Sequence, residues 1–240
     1  MASVTALVIS NGILVVDKSE GWTSHDVCAF IRSRFRIKKV GHAGTLDPLA
    51  TGVLVVLLGQ STKKSKVLSS CDKEYFGTIQ LGIKTDTQDI SGTVIAEKDW
   101  RHISETDIRQ AFQKFTGVLE QTPPMVSALK HQGVRLYQLA RAGKTVDRPK
   151  RSVTVYDFRI EELNLPKIKF FARVSKGTYL RTLVNDLGEA LGSFAALSQL
   201  RRVRSGSFTL GDAVTVEQLK KVDVDKLAQF VTDPVLAPVG

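Results

Sequence analysis

The chain has 240 residues, of which 42% are hydrophobic and 24% are charged, so its composition is that of a water-soluble globular protein. Its longest apolar run, residues 53–58, is far shorter than the ~18 residues that a membrane span needs. The two cysteines, Cys28 and Cys71, exclude a disulfide framework and are typical of a reducing compartment. We therefore expect a cytoplasmic protein of one large domain or two small ones.

Positive charge is the first functional indication in this sequence. The 34 lysines and arginines outnumber the 24 acids, which gives a net charge of +10 and an isoelectric point near 9.7. The excess is concentrated in clusters: Arg32, Arg34, Arg36, Lys38 and Lys39; Lys63, Lys64 and Lys66; Arg148, Lys150 and Arg151; Arg201, Arg202 and Arg204. One cluster could be an ordinary solvated surface, but several on one chain favour a phosphate backbone as partner. Composition does not distinguish RNA from DNA.

The first quarter of the chain predicts a strand, a capped helix, a loop and a second strand. Residues 13–16 form a short buried strand, and Thr23 with Asp26 provides a capping box at the start of a helix. The apolar stripe of that helix consists of Val27, Phe30, Ile31 and Phe35. A loop over residues 41–52 leads to a buried strand at 53–58, which is too short for a helix.

The rest of the chain continues to alternate strands and helices. The predicted elements are a strand at 74–81, a polar turn at 85–92, a helix capped by Ser104 and Asp107 that ends near Gly117, a helix at 135–142, strands at 152–160 and 168–174, and helices at 180–191 and 216–221. Strands separated by hairpin-like distances predict a mixed or antiparallel sheet. The fold class is therefore α/β of the α+β type.

Several familiar catalytic and cofactor sites are excluded by their spacing. Residues 59–65 lack the glycine that precedes Lys-Ser/Thr in a phosphate-binding loop, and residues 41–44 do not continue into a dinucleotide fingerprint. The four histidines and two cysteines are scattered, without the spacing of a zinc site. We expect no metal and no nucleotide cofactor.

The segment that carries chemistry is the glycine-rich stretch GHAGTLDPLATG from Gly41 to Gly52. Pro48 disfavours helix at Asp47, and three glycines permit backbone conformations that other residues resist. Such a loop can expose the Asp47 carboxylate in a cleft between a basic segment and a buried strand. From spacing alone, however, an ordinary Asp-Pro turn is the commoner interpretation.

This stretch resembles the catalytic motif of the bacterial tRNA pseudouridine synthase B (TruB) family. Other segments are similar to that family's motifs in the same order: residues 12–24, 73–75, 127–130 and 175–183, and residues 200–202 with Gly206. The resemblance covers roughly residues 12–208. It implies the pseudouridine synthase fold, a mixed and mostly antiparallel sheet flanked by helices and loops, with a central RNA-binding cleft.

The resemblance also implies roles for individual residues. Asp47 would be the catalytic carboxylate, Arg181 its ion-pair partner and Tyr75 the ring that packs on the target base. The residues implied to bind substrate are His42, Lys73, Tyr179 and Leu200. Five of these residues have a plainer alternative: Tyr75 and Leu200 could be core residues, Tyr179 and Arg181 could simply begin a helix, and His42 could be a structural histidine of the loop.

The implied reaction is isomerisation of uridine 55 in the TΨC loop of the tRNA T-arm, by base flipping, glycosidic bond cleavage and re-formation at carbon 5. The implied partner is the T-arm stem-loop of tRNA. The protein is expected to act as a monomer and to have no membrane partner. Asp47 would either attack the anomeric carbon or remove a ribose proton, and the sequence leaves both routes open.

Two other classes of function compete with this one. The first is a non-catalytic RNA binder or tRNA-folding chaperone, which would use the basic clusters but would not need Asp47, Tyr75 and Arg181 together. The second is a glycoside or nucleoside hydrolase, which usually needs two carboxylates, whereas the Asp47 loop contains only one.

The resemblance predicts a catalytic domain over residues 1–210. Residues 211–240 would be a short extension without a complete C-terminal RNA-binding (PUA-like) domain. Two positions depart from the family's pattern: Ser19 stands where proline is usual, and Val126 stands where an aromatic residue is frequent before Ser-Ala. The second departure affects packing near the predicted pocket.

Overall fold

The computed structural model describes residues 11–233; the first ten residues and residues 234–240, the end of the predicted extension, lie outside the described part. The helices are α1 (Ser24–Arg34), α2 (Ser65–Ser69), α3 (Glu105–Lys114), α4 (Leu136–Arg141), α5 (Leu180–Ala190) and α6 (Val216–Lys221). Short 3-10 helices occupy Gly59–Lys64, Leu210–Asp212 and Val224–Phe230. Within residues 11–233, no helix is long and apolar enough to cross a membrane.

Fifteen strands complete the described elements. They are β1 (Gly12–Lys18), β2 (Val40–Ala43), β3 (Thr51–Leu58), β4 (Lys73–Leu81), β5 (Ile83–Thr85), β6 (Val94–Glu97), β7 (Gly117–Gln121), β8 (Lys130–His131), β9 (Val134–Arg135), β10 (Arg151–Asn164), β11 (Lys167–Val174), β12 (Ala195–Ser205), β13 (Phe208–Thr209), β14 (Val214–Thr215) and β15 (Val231–Thr232). The chain divides into two compact units, Met1–Tyr75 with Arg201–Gly240 and Phe76–Leu200, and the divisions fall inside β4 and β12.

The first unit is built on β1 and β3, which pair in antiparallel fashion along their whole length. Strand β2 pairs with β3, and the end of β12 joins β3 in parallel at Arg201 and Arg202. Because both faces of β3 are covered, seven of its eight residues are buried. The core of this unit contains Ile13, Val15, Ala43, Val53, Val55, Leu57, Leu68 and Phe208.

Helix α1 begins where the sequence predicts. The backbone N–H of Asp26 donates to Thr23 Oγ1 at 3.0 Å, and the N–H of Thr23 donates to Asp26 Oδ2 at 2.8 Å. Each side chain thus satisfies a backbone group that the first turn leaves without a helical partner. This fixes the direction in which the chain enters α1.

In the second unit, the strands follow the order β12, β4, β11, β10, β7. Buried and exposed residues alternate along β11, as predicted, and its basic residues face outward. Phe112 of α3 stacks on Phe158 of β10 with ring centroids 4.1 Å apart, and Phe158 meets Phe170 of β11 edge-on. An aromatic cluster therefore joins α3 to the sheet.

The predicted mixed and mostly antiparallel sheet with flanking helices is confirmed, but one local prediction is wrong, one strand is longer than predicted and one strand was not predicted. Residues 41–43 belong to β2 rather than to a loop, because His42 pairs with Val56 of β3. The strand predicted at 152–160 extends over Arg151–Asn164. Strand β12 was not predicted, because three arginines interrupt its apolar pattern.

Candidate active site

The Asp47 loop connects β2 to β3 and is tied to the start of α1. The Asp47 carbonyl accepts from the Ala50 N–H at 3.0 Å, so an Asp-Pro turn is present. The Leu46 N–H donates to Ser24 Oγ at 2.8 Å, and Ser24 Oγ donates back to the Leu46 carbonyl at 3.1 Å. The Gly21 N–H donates to the Pro48 carbonyl at 2.9 Å. The turn that carries Asp47 is therefore held on both sides of the carboxylate.

Gly52 ends the loop at a point where only glycine fits. Its φ is +99°, and a Cβ added there would lie 2.1 Å from the Arg202 carbonyl oxygen. Strand β12 thus passes directly against the beginning of β3, in the register that pairs Arg202 with Gly52. Any side chain at this position would separate the two strands.

Arg202 is buried beneath the loop, with 1% of its surface exposed. Its Nε donates to the Val53 carbonyl at 2.7 Å, while its terminal nitrogens donate to the carbonyls of Gly44 at 3.1 Å and Thr45 at 3.5 Å. One planar guanidinium therefore joins the first residues of the loop to β3. The prediction that Arg202 belongs to a phosphate-binding surface is wrong, because its donors point inward.

Lys18 is a second buried cation at this loop, with 0% of its surface exposed. Its Nζ donates to the carbonyls of Trp22 at 2.7 Å, Ser19 at 3.0 Å and Pro48 at 3.3 Å. Burial lowers the pKa of Lys18 to about 8, an effect opposed by the nearby Asp47 carboxylate and assisted by Arg202. Lys18 and Asp47 thus interact electrostatically within the first unit.

The titration of Lys18 gives a testable pH dependence. Below a pH of about 8 the ammonium has three N–H donors for three carbonyls, whereas the neutral amine above it has two. Loss of one donor should loosen the Asp47 turn, so we expect turnover to fall several-fold as pH rises through about 8. The measurement is a pH–rate profile under saturating substrate.

A Lys18→Met variant is the control for that profile. It has no titrating group at position 18, so its lower rate should show no corresponding decline near this pH. A decline of equal size in the variant would mean that Lys18 is not the group that titrates.

Three further predicted residues lie in the first unit. Lys73 is buried, and its Nζ donates to the Ser69 carbonyl at 2.7 Å and to the Cys71 carbonyl at 2.5 Å. Tyr75 is buried in β4, and His42 lies on β2 with its carbonyl accepting from Ser65 Oγ at 3.0 Å. Lys73 therefore ties the end of α2 to the start of β4, and its substrate-binding role stays a prediction, as do those of Tyr75 and His42.

Arg181 lies in the second unit, in the first turn of α5, with 3% of its surface exposed. Its terminal nitrogens donate to the carbonyls of Thr87 at 2.7 Å and Val126 at 2.8 Å, and its Nε lies 3.7 Å from Asp89 Oδ2. The guanidinium is thus oriented by two separate chain segments. Its predicted ion pair with Asp47 of the first unit stays a prediction.

Asp89, the carboxylate beside Arg181, is a residue that the sequence did not single out. It is buried, and its Oδ1 accepts from Thr87 Oγ1 at 2.8 Å and from the Ser91 N–H at 3.0 Å. These bonds leave Oδ2 facing Arg181. In the sequence Asp89 is one of several polar residues in a predicted turn, so no local signal distinguishes it.

Tyr179 and Leu200, the other predicted pocket residues, also belong to the second unit. The Tyr179 N–H donates to Gln121 Oε1 at 2.8 Å, and Gln121 Nε2 donates to the Tyr179 carbonyl at 3.1 Å. Gln121 therefore anchors the residue that precedes α5. Leu200 is buried near the middle of β12. Both substrate-binding roles stay predictions.

The first unit also presents a surface of exposed lysines, Lys38, Lys39, Lys63 and Lys66, which we call the lysine surface. Lys38 and Lys39 lie close to the segment of Lys63 and Lys66 because α2 packs against β2. The Gly59 N–H also donates to the Lys39 carbonyl at 2.7 Å. Among the residues described, none of the four lysines forms an ion pair. By contrast, Arg201 pairs with Asp17 at 2.7 Å and Arg204 with Glu74 at 3.3 Å.

Because these four lysines form no ion pair within the described part of the chain whereas Arg201 and Arg204 do, we expect the lysine surface to bind phosphates. Replacing Lys63 and Lys66 by glutamine should reduce the slope of log affinity against log salt by roughly 0.7–0.9 for each phosphate that is no longer neutralised. The matched control is Arg201→Gln with Arg204→Gln, where acids already neutralise the charges. Titrations of an RNA hairpin at several salt concentrations measure both slopes; an unchanged slope in the lysine variant would refute the assignment.

The described residues contain no group of three or more histidine, cysteine, aspartate or glutamate side chains that could hold a metal ion. The first unit offers a carboxylate with two buried cations beside its loop, and the second unit offers an arginine with its own carboxylate partner. These are acid–base and electrostatic elements.

Comparisons with solved structures give the class of protein. The chain matches a chain in "Crystal Structure of a Cbf5-Nop10-Gar1 Complex" with a TM-score of 0.72 and 29% identity, over 95% of this chain and 61% of that one. It also matches "Structure of H/ACA RNP bound to a substrate RNA containing 2'-deoxyuridine" with a TM-score of 0.68 and 26% identity, over 95% and 60%. The fold is that of the pseudouridine synthases.

Comparisons of sequence give the family. The model of the TruB family pseudouridylate synthase N-terminal domain matches residues 32–180, and that of the tRNA pseudouridylate synthase B C-terminal domain matches residues 181–239. The chain therefore belongs to the TruB family. The predicted division into residues 1–210 and 211–240 stays a prediction.

Relatives named "tRNA pseudouridine synthase B" are similar over most of this chain. The protein from Geobacter sulfurreducens is 46% identical over 225 residues, which are 93% of this chain and 74% of that protein. The protein from Opitutus terrae is 44% identical over 217 residues, which are 90% of each. Members of this family are isomerases that modify RNA, and this chain is an enzyme of that class.

Proposed function

We propose that this chain isomerises uridine 55 in the T-arm loop of tRNA to pseudouridine, acting as a cytoplasmic monomer on the T-arm stem-loop. The observation that carries the proposal is the Asp47 turn, which two buried cations and the Ser24 hydroxyl hold in one conformation. A carboxylate on an ordinary surface turn would not require Lys18 and Arg202 to be buried beneath it. Preorganisation of this kind is a property of reacting groups.

The reaction breaks one bond and makes another at the same sugar carbon. The Asp47 carboxylate attacks the anomeric carbon or removes a ribose proton, and the bond from that carbon to base nitrogen 1 breaks. The uracil, retained in the site, turns so that its carbon 5 faces the sugar and forms the new bond. As this bond forms, the Asp47 carboxylate leaves the anomeric carbon or returns the ribose proton. The hydrogen on carbon 5 leaves to solvent as a proton and nitrogen 1 takes up a proton, so the product is an isomer and no oxidant or reductant is needed.

The remaining predicted residues supply contacts with the target base. A uridine inside a folded loop must leave its stack before it reaches a protein carboxylate, and an aromatic ring offers a replacement stacking surface. In this proposal the Tyr75 ring stacks on the flipped base, and Tyr179 and Leu200 line the pocket that receives it. His42 helps to hold the RNA loop open where the uridine leaves its stack. Lys73 contributes by supporting the segment that leads to Tyr75.

The lysine surface suits the RNA stem. Exposed lysines without intramolecular ion pairs gain free energy when they approach phosphates, because condensed counterions are released. Such contacts position the RNA without reading its sequence. Sequence preference must then come from residues that touch the loop nucleotides.

The experiment that tests the proposal uses a T-arm hairpin that carries tritium on carbon 5 of the target uridine. Isomerisation must release this label to water. Binding without release would support the non-catalytic RNA binder or chaperone, and release of free labelled uracil would support a nucleoside hydrolase. A matched hairpin that carries tritium only on a uridine of the stem should release none.

A further inference from the structure

The second unit contains a polar cavity of about 430 Å³ that the proposed reaction does not use. Three carboxylates line it, those of Asp86, Glu120 and Asp186, together with two cations, Arg148 and Lys150. The volume is within the range of small-molecule sites and is sufficient for one nucleotide. Charges of both signs therefore face the same space.

These charges do not neutralise one another. Within residues 11–233, neither Arg148 nor Lys150 forms an ion pair with any of the three carboxylates, and the buried Nε of Arg148 has no hydrogen-bond partner. Burial raises the pKa of Asp186, although Asn185 Nδ2 donates to it at 3.1 Å. Charged groups that have no counterion in the protein gain free energy when a ligand of opposite charge binds them.

The cavity shares its walls with the segments that hold Arg181. Arg181 donates to the Thr87 and Val126 carbonyls, and the chain neighbours of those residues line the cavity. Thr182, also in the lining, donates from Oγ1 to Gln88 Oε1 at 2.9 Å. A ligand in this cavity would lie next to the arginine that the proposed function places in the active site.

A ligand that satisfies both kinds of charge must carry an anion and N–H donors. A nucleotide whose base has an exocyclic amino group meets this requirement, because carboxylates accept from amino groups and cations bind phosphate. The RNA itself supplies such a nucleotide. Of the two neighbours of the target in a TΨC loop, only the cytidine on the 3′ side has an amino group.

We propose that this cavity binds the nucleotide on the 3′ side of the target uridine and selects a base with an exocyclic amino group. Glu120 and Asp186 accept from the amino group, and Arg148 binds the phosphate. The proposal rests on the proposed function, because it needs the target uridine to be held beside Arg181. In this proposal the second unit determines the enzyme's preference for the RNA sequence, whereas the lysine surface of the first unit binds the RNA backbone.

The test compares T-arm hairpins that differ only at the 3′ neighbour of the tritium-labelled uridine. One carries cytidine, one carries uridine and one carries the cytidine analogue that lacks the amino group. For the unmodified enzyme, we expect kcat/KM to be roughly tenfold to a hundredfold lower on the second and third hairpins. Equal values on all three would overturn the proposal, whereas no release on any of them would instead overturn the proposed function.

Variants of the lining residues separate base recognition from phosphate binding. Glu120→Gln and Asp186→Asn should bring the ratio of kcat/KM for cytidine over uridine towards one. Arg148→Gln should lower kcat/KM on every hairpin by a similar factor and leave that ratio unchanged. The matched control is Lys144→Gln, an exposed cation of the same chain segment, which should change neither quantity.

Glu120 is exposed on β7, so its substitution should leave folding intact, and thermal unfolding of each variant checks this. If folded Glu120→Gln and Asp186→Asn variants both keep the full preference for cytidine, the cavity does not read the base. If the Arg148 variant alone alters the preference, the assignment of base and phosphate within the cavity is reversed and the proposal is wrong.

Discussion

An Asp47→Asn variant should release tritium at least roughly a thousandfold more slowly than the unmodified enzyme, because it loses the only group proposed to react with the ribose. Its affinity for the hairpin should stay within a few-fold. Asparagine has nearly the same shape, and the turn is held through the Asp47 carbonyl and its neighbours rather than through the carboxylate alone. The measurements are single-turnover release and equilibrium binding at one salt concentration.

A matched substitution separates loss of reaction from loss of charge. Asp225→Asn removes an exposed carboxylate of the same unit and should leave turnover unchanged. Appreciable turnover by the Asp47 variant would show that another group does the chemistry. A parallel loss of RNA affinity would mean that Asp47 contributes to binding rather than reaction.

An Arg181→Lys variant should lose roughly a hundredfold or more in kcat with a much smaller change in KM. The guanidinium donates to two carbonyls at once and lies beside Asp89, whereas a single ammonium cannot reproduce that planar arrangement. The variant is informative because it keeps the charge and alters only the geometry. Steady-state kinetics on the labelled hairpin provide both constants.

The interpretation of that variant depends on two checks. Because Arg181 is buried, thermal unfolding must first show that the protein remains folded. Asp89→Asn, alone and combined with Arg181→Lys, then tests whether the two residues act as one unit, in which case their effects will not add. Near-normal turnover by Arg181→Lys would remove Arg181 from the reaction.

The elements that could be predicted from the sequence are those whose signals are local. The capping boxes at Thr23 and Ser104 join residues three positions apart, so both helix starts were correct. Strand β12 follows no local pattern because Arg202, a charged residue, occupies a buried position in it. Strand β2 escaped prediction because its partner β3, rather than its own sequence, makes residues 41–43 extended.

The same distinction applies to the candidate site. Asp47 stands in a glycine-rich segment that can be recognised directly in the sequence. Lys18 ends an apolar strand and Arg202 follows another arginine, and neither local sequence indicates the buried carbonyls that each side chain binds. Burial of a cation depends on groups supplied by distant segments, which no local pattern encodes.

The contacts of Arg202 have a consequence for the order in which the chain becomes functional. Its bond to the Val53 carbonyl spans 149 residues, and its bonds to Thr45 and Gly44 span 157 and 158. Contacts so distant in sequence form late, because a long stretch of chain must be closed before they can form. During synthesis, β1, α1 and β3 leave the ribosome long before Arg202 does. A nascent chain therefore has the Asp47 turn without its support from Arg202, and we expect this turn to reach its final conformation only after residue 202 has left the ribosome.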